Sequence, residues 1–336
     1  MLLFVLVFRG TLNTQVARVW FVIFFEVGVC LSLAAIIWTH DRWIAGFLIL
    51  AIVSSFAIQY DMNSYFALRA IVTGCLWYLF VVMFFTKDNL YILYRVMRAC
   101  AYFHTGVAFM QFIGYGGWFS YTQTTGLMAT NVFLSALLCF CLPAFLELKG
   151  KRILLILIPI AGIMMAKQFL GIISLGAGVI FYLSMAHRIY WPIVLVIPAA
   201  IAWAFFIDAP GVDHRLYVWG KAIRAWWNKP LVGFGIGHWK GVFKVPMNID
   251  GTRWMTTHNE HLQMLFELGV GVVPIFIGYY AKVLRSFRRE LVIPLTALLI
   301  ISIQSFGTFA MHIAPTAILA VTWLAILTIS TKKEAI

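Results

Sequence analysis

An all-α, polytopic membrane protein is the fold class this sequence predicts, with about eleven (ten to twelve) transmembrane helices and one large extramembrane loop carrying amphipathic helices. Three observations predict it. Of the 336 residues, 63% are hydrophobic and 11% charged, where soluble domains carry about 25% charged residues. The apolar residues gather into runs of bilayer-spanning length. The basic residues gather between those runs, mostly on one side.

The runs lie at about 19–38, 43–59, 65–85, 101–119, 127–146, 153–165, 169–185, 189–207, 262–281, 291–306 and 313–330. The fourth holds His104, Gly106, Gln111 and Gly114, and the sixth is short, so these two have the weakest span character. A single water-soluble core cannot absorb this much apolar surface. No Pro/Ser-rich linker divides the chain and no fixed-period repeat is visible, which predicts one integral unit. Its parts are N-terminal spans over 1–207, a loop over 208–261 and C-terminal spans over 262–336. Met1–Phe8 is apolar but lacks a basic leading region and a cleavage site, so it does not read as a signal peptide.

Orientation follows from Lys and Arg. With the 208–261 loop outside, the cytoplasmic connections hold Arg42, Lys87, Arg95, Arg98, Lys149, Lys151, Arg152, Arg188, Lys282, Arg285, Arg288, Arg289, Lys332 and Lys333. The opposite short connections hold Arg9, Arg18 and Lys167. That bias places the loop on the periplasmic side. The formal net charge of +13 is then mostly topology, and nucleic-acid binding is not needed to explain it. The five cysteines, Cys30, Cys75, Cys100, Cys139 and Cys141, fall in or beside apolar runs. They fit buried thiols rather than a disulfide framework or a zinc site.

Arg69, within the third span near its outer end, and Lys167, in the outer turn between the sixth and seventh, break the topological pattern. Ionisable groups at such depth either face a polar cavity or snorkel to the head groups, and both readings stand.

The loop concentrates Arg215, Lys221, Arg224, Lys229, Lys240, Lys244 and Arg253 with His214, His238, His258 and His261. A cationic, histidine-bearing loop held against a bilayer suggests chemistry on an anionic, lipid-linked substrate. Asp213–Asn228 has helical character, stopped by Lys229-Pro230. Arg215, Trp219, Ala222 and Trp226 share one face, predicted to rest at the membrane interface with Arg215 near a lipid phosphate. The plainer alternative is an anchor helix with incidental charges. Gly233-Phe-Gly-Ile-Gly237 has the wrong spacing for a nucleotide fingerprint and reads as turn material able to let backbone approach a substrate. Thr257-x-x-Glu260 reads as a capping box, with Thr257 as N-cap and His258 at the first helical position. The helix dipole there disfavours imidazolium, leaving a neutral ring suited to a general base. His258 and His261 are otherwise polar residues at an interface. A metal site is not expected, since the order His-Asn-Glu-His lacks a third ligand.

Taken together, Arg215-x3-Trp219, Lys229-Pro230-Leu-Val-Gly233-x-Gly235-x-Gly237, His258-Asn259-Glu260-x-Leu262 and Glu267-Leu268-Gly269 resemble the signature of the O-antigen ligase and O-antigen polymerase superfamily. Upstream, Thr125-Gly126-Leu-Met-Ala-Thr-Asn131 is similar to that family's Gly-x-x-x-x-Asn stretch. The resemblance covers about residues 100–330. It implies a polytopic inner-membrane glycosyltransferase of the type C architecture, working without a metal ion, cofactor or nucleotide sugar. Its donor would be a glycan on undecaprenyl pyrophosphate. Its acceptor would be a sugar hydroxyl of the lipid A core for a ligase, or another repeat unit for a polymerase.

Carried over by position, the resemblance implies that Arg215 grips the pyrophosphate and His258 takes the acceptor proton as the catalytic pair. Asn259 and Glu260 would position and cap, and Lys167, Arg69, Trp219 and His261 join them as substrate-binding candidates. One departure from the family pattern is Ala166-Lys167-Gln168, where a Ser-Arg-Gly turn is usual. Lysine can substitute there as a point charge but does not reproduce a bidentate guanidinium. Two other classes of function compete: a lipid-linked glycan transporter, which would spread charge through broken spans, and an inactive relative.

Overall fold

The computed structural model describes residues 27–58, 62–114, 124–128, 130–187, 212–242 and 256–332, all helix, turn or loop with no strand among them. In chain order the helices are α1 (Val27–Trp38), α2 (Arg42–Ile58), α3 (Met62–Phe84), α4 (Leu90–Phe112), α5 (Asn131–Cys141), α6 (Leu157–Ala166) and α7 (Phe169–His187). Next come α8 (Val212–Trp226), α9 (Trp239–Val242), α10 (Glu260–Leu268), α11 (Val272–Arg285), α12 (Val292–Gly307) and α13 (Ala314–Thr331). Five stretches among the described residues are long and apolar enough to cross a membrane: Asn63–Phe84, Phe169–His187, Glu260–Arg285, Arg289–Gly307 and Ala314–Thr331. The chain is a helical membrane protein. The expected span 189–207, the start of the first span, Met1–Phe8, Lys244, Arg253 and the side chains of His214 and Lys240 lie outside the described residues.

Helix α5 is the centre of the bundle, with every side chain from Phe133 to Cys141 buried. It packs against α4, α6, α7, α12 and α13. Small residues allow the close approach: a Cβ on Gly162 would sit 2.6 Å from Leu138, and one on Gly178 would sit 2.6 Å from Ile300. Such small-residue contacts are how helices associate where lipid competes for apolar surface.

Two expectations need correcting. The fourth span was expected at 101–119, but α4 begins at Leu90. Arg95 and Arg98 therefore lie on a helix rather than in a loop, and Arg98 is tolerated there because it donates to Ala144 O at 2.8 Å and Glu147 at 2.7 Å. The fifth span is shorter than the expected 127–146. Thr130 caps its start, accepting from Phe133 N at 3.4 Å, and Pro143 lies in a 3₁₀ turn after Cys141. Its length and burial are those of a core helix. The ninth span, expected at 262–281, lies within the apolar stretch Glu260–Arg285, in which α10 and α11 are separated by a 3₁₀ turn over Gly269–Gly271.

The bundle has two chemically distinct ends. At one, Asp41 caps α2 by accepting from Trp43 N at 3.0 Å, and its other oxygen pairs with Lys282. Lys282 also donates to Thr328 at 3.3 Å, and the Tyr78 hydroxyl lies 3.1 Å from the same Thr328 oxygen. The opposite end gathers the start of α5, the α6–α7 turn, α8, the start of α10 and the α12–α13 connection.

Candidate functional site

Helix α8 organises that second end. Val218 and Ala222 are buried against Trp239 and Phe266, with Trp226, Phe234 and Leu262 around them. The face carrying Trp219, Ala222 and Trp226 therefore packs inward on α10, not outward on lipid as expected. The reason is that α8 is apolar on two sides. Leu216 and Ile223, seven residues apart, with Trp227 in the turn just past the helix end, form a separate exposed stripe.

The inward packing sets the site. Trp219 Nε1 donates to Thr257 O at 2.8 Å, tying α8 to the residue before His258. One turn earlier, the Arg215 guanidinium lies over Gly307 at the end of α12, 3.6 Å from where a Cβ would stand. Leu170, three residues beyond Lys167, meets the same glycine. The ring of His258 makes an edge-to-face contact with Phe309 at 4.6 Å, and Phe309 in turn packs on Phe133 of α5. Asn131 donates to Ala166 O at 3.2 Å, holding the Lys167 turn against α5. Arg215, His258 and the Lys167 turn are thus gathered at one end of α5 and α12.

Lys167 (φ 51) and His258 (φ 54) are the two non-glycine residues with left-handed backbone among those described. Such a conformation costs on the order of 1–3 kcal/mol and persists where the surroundings impose it. At Lys167 it terminates α6, the N–H bonding to Met164 O at 3.1 Å, in a position glycine or asparagine normally fills. The side chain there is exposed.

The start of α10 differs from the expected capping box. The N-cap is Asn259, whose side chain accepts from Leu262 N at 3.0 Å. Thr257 instead folds the preceding turn: its hydroxyl donates to Asn259 O at 2.6 Å, and its N–H reaches Gln263 at 2.9 Å. His258 consequently stands outside the helix. Its imidazole is still held neutral, but by a different cause. Burial, then the nearby Arg215 charge, push its pKa down to about 3. Burial also lowers that of Arg215, which remains a cation.

Glu260 does not reach back to Thr257. One oxygen accepts from Met311 N at 2.7 Å, and the other lies 2.9 Å from His312 Nδ1. His261 is enclosed: its Nε2 is 2.7 Å from the Tyr280 hydroxyl and its ring stacks on Phe306 at 4.5 Å. Asn259, Glu260, His261 and Trp219 therefore brace the turn that presents His258. Arg69 is exposed on α3, whose first turns meet the glycine loop through Asn63 and Ala67 beneath Gly237; it is not among the contacts around Arg215.

The glycines have an internal use. Phe234 N donates to Phe266 O at 3.0 Å and Gly235 N to Glu267 O at 2.9 Å, so the loop satisfies the open carbonyls at the end of α10. A Cβ on Gly233 would lie 2.5 Å from Glu267 O. The buried Glu267 carboxylate accepts from Gly237 N at 2.9 Å and Gln263 Nε2 at 2.7 Å.

Sequence reasoning missed Gly307, Phe309 and His312, reading 307–312 only as the gap between two spans. A glycine and a histidine in an outer connection were the available signal. Glu267 was quoted in a motif without a role, although a carboxylate inside an apolar run is itself a flag. No protein-family model matches the chain, and no curated protein matches it.

Proposed function

We propose that the chain is an integral-membrane glycosyltransferase of O-antigen ligase type, acting at the periplasmic face of a bacterial inner membrane. It would move a glycan from undecaprenyl pyrophosphate to a sugar hydroxyl of the lipid A core. The observation that carries this reading is the placement of the Arg215 cation beside the neutral imidazole of His258, on a backbone held in a rare conformation.

In the reaction, the acceptor oxygen attacks the anomeric carbon as the bond from that carbon to the pyrophosphate oxygen breaks. The electron pair leaves with the diphosphate. Arg215 is desolvated and, among the described residues, has no carboxylate against it, so a diphosphate would be its natural counter-ion. Lys167, exposed in the turn just before Leu170, would add a second positive charge at the same end. His258, neutral at physiological pH, offers a hydrogen-bond acceptor to the attacking hydroxyl. With a pKa of about 3 it orients that hydroxyl better than it keeps its proton.

The test is expression in bacteria lacking their O-antigen ligase and, separately, in bacteria lacking their O-antigen polymerase. Long-chain lipopolysaccharide restored in the first background supports the ligase reading. Restoration only in the second reassigns the acceptor to a glycan repeat unit. Restoration in neither, with the protein present in the membrane, rejects the reaction.

A further inference from the structure

The outward side of α8 and the rim after it, residues 228–232, have no part in the transfer reading, yet they expose apolar and cationic side chains together. Leu216 and Ile223 lie seven residues apart on α8, and Trp227, whose N–H reaches Ile223 O at 3.0 Å, carries their row into the turn beyond. Leu231 and Val232 extend it, and Trp227 and Leu231 are the most exposed of these at 73% and 74%. A second row flanks the first: Tyr217, Lys221 and Arg224, spaced four and three residues apart, with Lys229 beyond them. Lys221 folds over the Tyr217 ring at 4.6 Å, and Lys229 over Phe234 at 5.2 Å. From 214 to 249 the sequence has no Asp or Glu. Among the described residues, Lys221, Arg224 and Lys229 meet no carboxylate. Val270 N donates to Pro230 O at 2.7 Å, so the rim is fastened to Glu260–Arg285, a stretch long and apolar enough to cross a membrane.

We propose that this surface docks on the head groups of anionic phospholipids in the leaflet on its own side of the membrane. The inference stands apart from the glycosyl-transfer reading, since it concerns which lipids the chain gathers around α8. The apolar row sinks to the boundary between head groups and acyl chains, the depth that Trp and Tyr rings favour. Lys221, Arg224 and Lys229 reach from it to phosphates, their stems lying on apolar surface while the charges stay in the polar layer. Cations with no acid among them are drawn to the negative surface of an anionic leaflet and have no such preference for a zwitterionic one. The same charge argues against a second copy of this chain as the occupant. A two-fold pairing of the surface would set these cations against their own copies. Val270 lies inside the spanning stretch, which keeps Leu231 and Val232 within reach of the bilayer rather than of a soluble partner.

The test puts a local reporter on the rim of the full chain. Leu231→Cys is labelled with an environment-sensitive maleimide fluorophore. Cys30, Cys75, Cys139 and Cys141 are buried and Cys100 is half-buried, and the unsubstituted chain measures any background labelling. The labelled protein is placed in nanodiscs of equal phosphatidylglycerol and phosphatidylcholine, with bromine on the acyl chains of one lipid or the other, near the head group. Quenching by brominated phosphatidylglycerol is expected to be at least about 3-fold stronger than by brominated phosphatidylcholine, falling to parity when salt is raised to about 0.5 M. Changing Lys221, Arg224 and Lys229 together to Gln should remove the preference at low salt but keep the quenching, because the apolar row is intact. Equal quenching by the two lipids at low salt overturns the proposal, and so does a preference that survives the triple change. Absence of quenching by either lipid puts the face in water or against protein and overturns it as well. Self-quenching that appears with two labelled copies per disc gives the face to a second copy, with the same consequence. Should the triple variant not fold, the salt series decides, since a preference unchanged at about 0.5 M does not come from these exposed charges. None of these outcomes depends on glycan transfer.

Discussion

At one end of the bundle Lys282 meets the buried Asp41 carboxylate and Thr328, and Arg98 meets Glu147 and a carbonyl. At the other end Arg215 lies over a glycine and Lys167 ends a helix in a left-handed turn, and among the described residues neither meets a carboxylate. The first arrangement is closed at these two cations, each answered by a carboxylate within the chain. The second is open. Taking a cation out of water is costly unless something of opposite sign is brought to it. On the reading proposed above, an anion answers Arg215 as Asp41 answers Lys282.

The largest expected effects come from exchanging these two behaviours. Arg215→Ala should lower the rate of glycan transfer by about 100- to 1,000-fold, the loss typical of removing one preorganised group from developing negative charge. Arg215→Lys should lose most of the activity as well, because an ammonium does not reproduce a bidentate fork. Neither change should lower the thermal unfolding midpoint appreciably, since among the described residues the guanidinium answers no carboxylate. Asp41→Ala should do the reverse. It strands Lys282 and uncaps α2, at a cost of about 3–5 kcal/mol, read as a lower midpoint in detergent with transfer per folded molecule preserved. If Arg215→Ala unfolds the protein, or Asp41→Ala selectively stops transfer, the contrast between the ends is wrong.

The sequence made the closed end hard to read and the open end partly legible. Lys282, Arg95 and Arg98 entered the topology count as loop charges, because a hydropathy pattern cannot tell a basic residue on a helix from one beyond it. Only the partner does that, and Glu147 and Asp41 are far away in the chain. Arg215, Trp219 and His258 were legible because they lie within one polar segment whose helical spacing is local. What failed was direction. The Trp219/Ala222/Trp226 stripe was expected on lipid and instead faces α10, since α8 has two apolar faces and periodicity finds a face without saying what covers it. The capping box failed for a related reason: Thr257 and Asn259 are both good N-caps, and the choice falls to Asn259 because Gln263 and Asn259 O occupy Thr257.

A middle-sized effect separates glycines that serve packing from one that does not. Gly233 has φ +68 and backbone of Glu267 within 2.6 Å of any added Cβ, so Gly233→Ala should lower stability by about 2–3 kcal/mol through strain and clash. Gly220, inside α8 with open space around it, should behave oppositely, with Gly220→Ala raising stability by up to about 1 kcal/mol. Unfolding midpoints of the two variants, measured side by side, test whether the glycine loop belongs to the α10 cap. Equal midpoints would assign those glycines elsewhere.

The open end should also be acid-sensitive in its folding. His258 titrates near 6.5 when unfolded and is pushed down to about 3 in the folded chain. Between those values the unfolded state binds a proton the folded state does not, so the contribution is fully present above pH 6.5 and is lost progressively as pH falls toward 3. His258→Gln should flatten that part of the stability–pH curve, while Gly220→Ala, which touches no titratable group, should leave its slope unchanged. An unaltered slope in His258→Gln would show that the imidazole is solvated.

The smallest effect concerns the second face of α8. Leu216, Ile223 and Trp227 are 47%, 48% and 73% exposed and line up along the helix and the turn just past its end, with Lys221 folded over Tyr217 beside them at 4.6 Å. An apolar stripe flanked by cations fits the head-group region of a bilayer. Replacing all three by Ser should leave the unfolding midpoint in detergent within about 0.5 kcal/mol of the parent, because nothing internal is lost. Transfer in nanodiscs should fall by about 2- to 5-fold, while transfer in detergent micelles stays level, since only a bilayer holds the stripe at a fixed depth. Equal losses in both media would mean that the stripe acts through the packed face and Arg215, and would make α8 one more closed element rather than the part of the open end that reads the membrane.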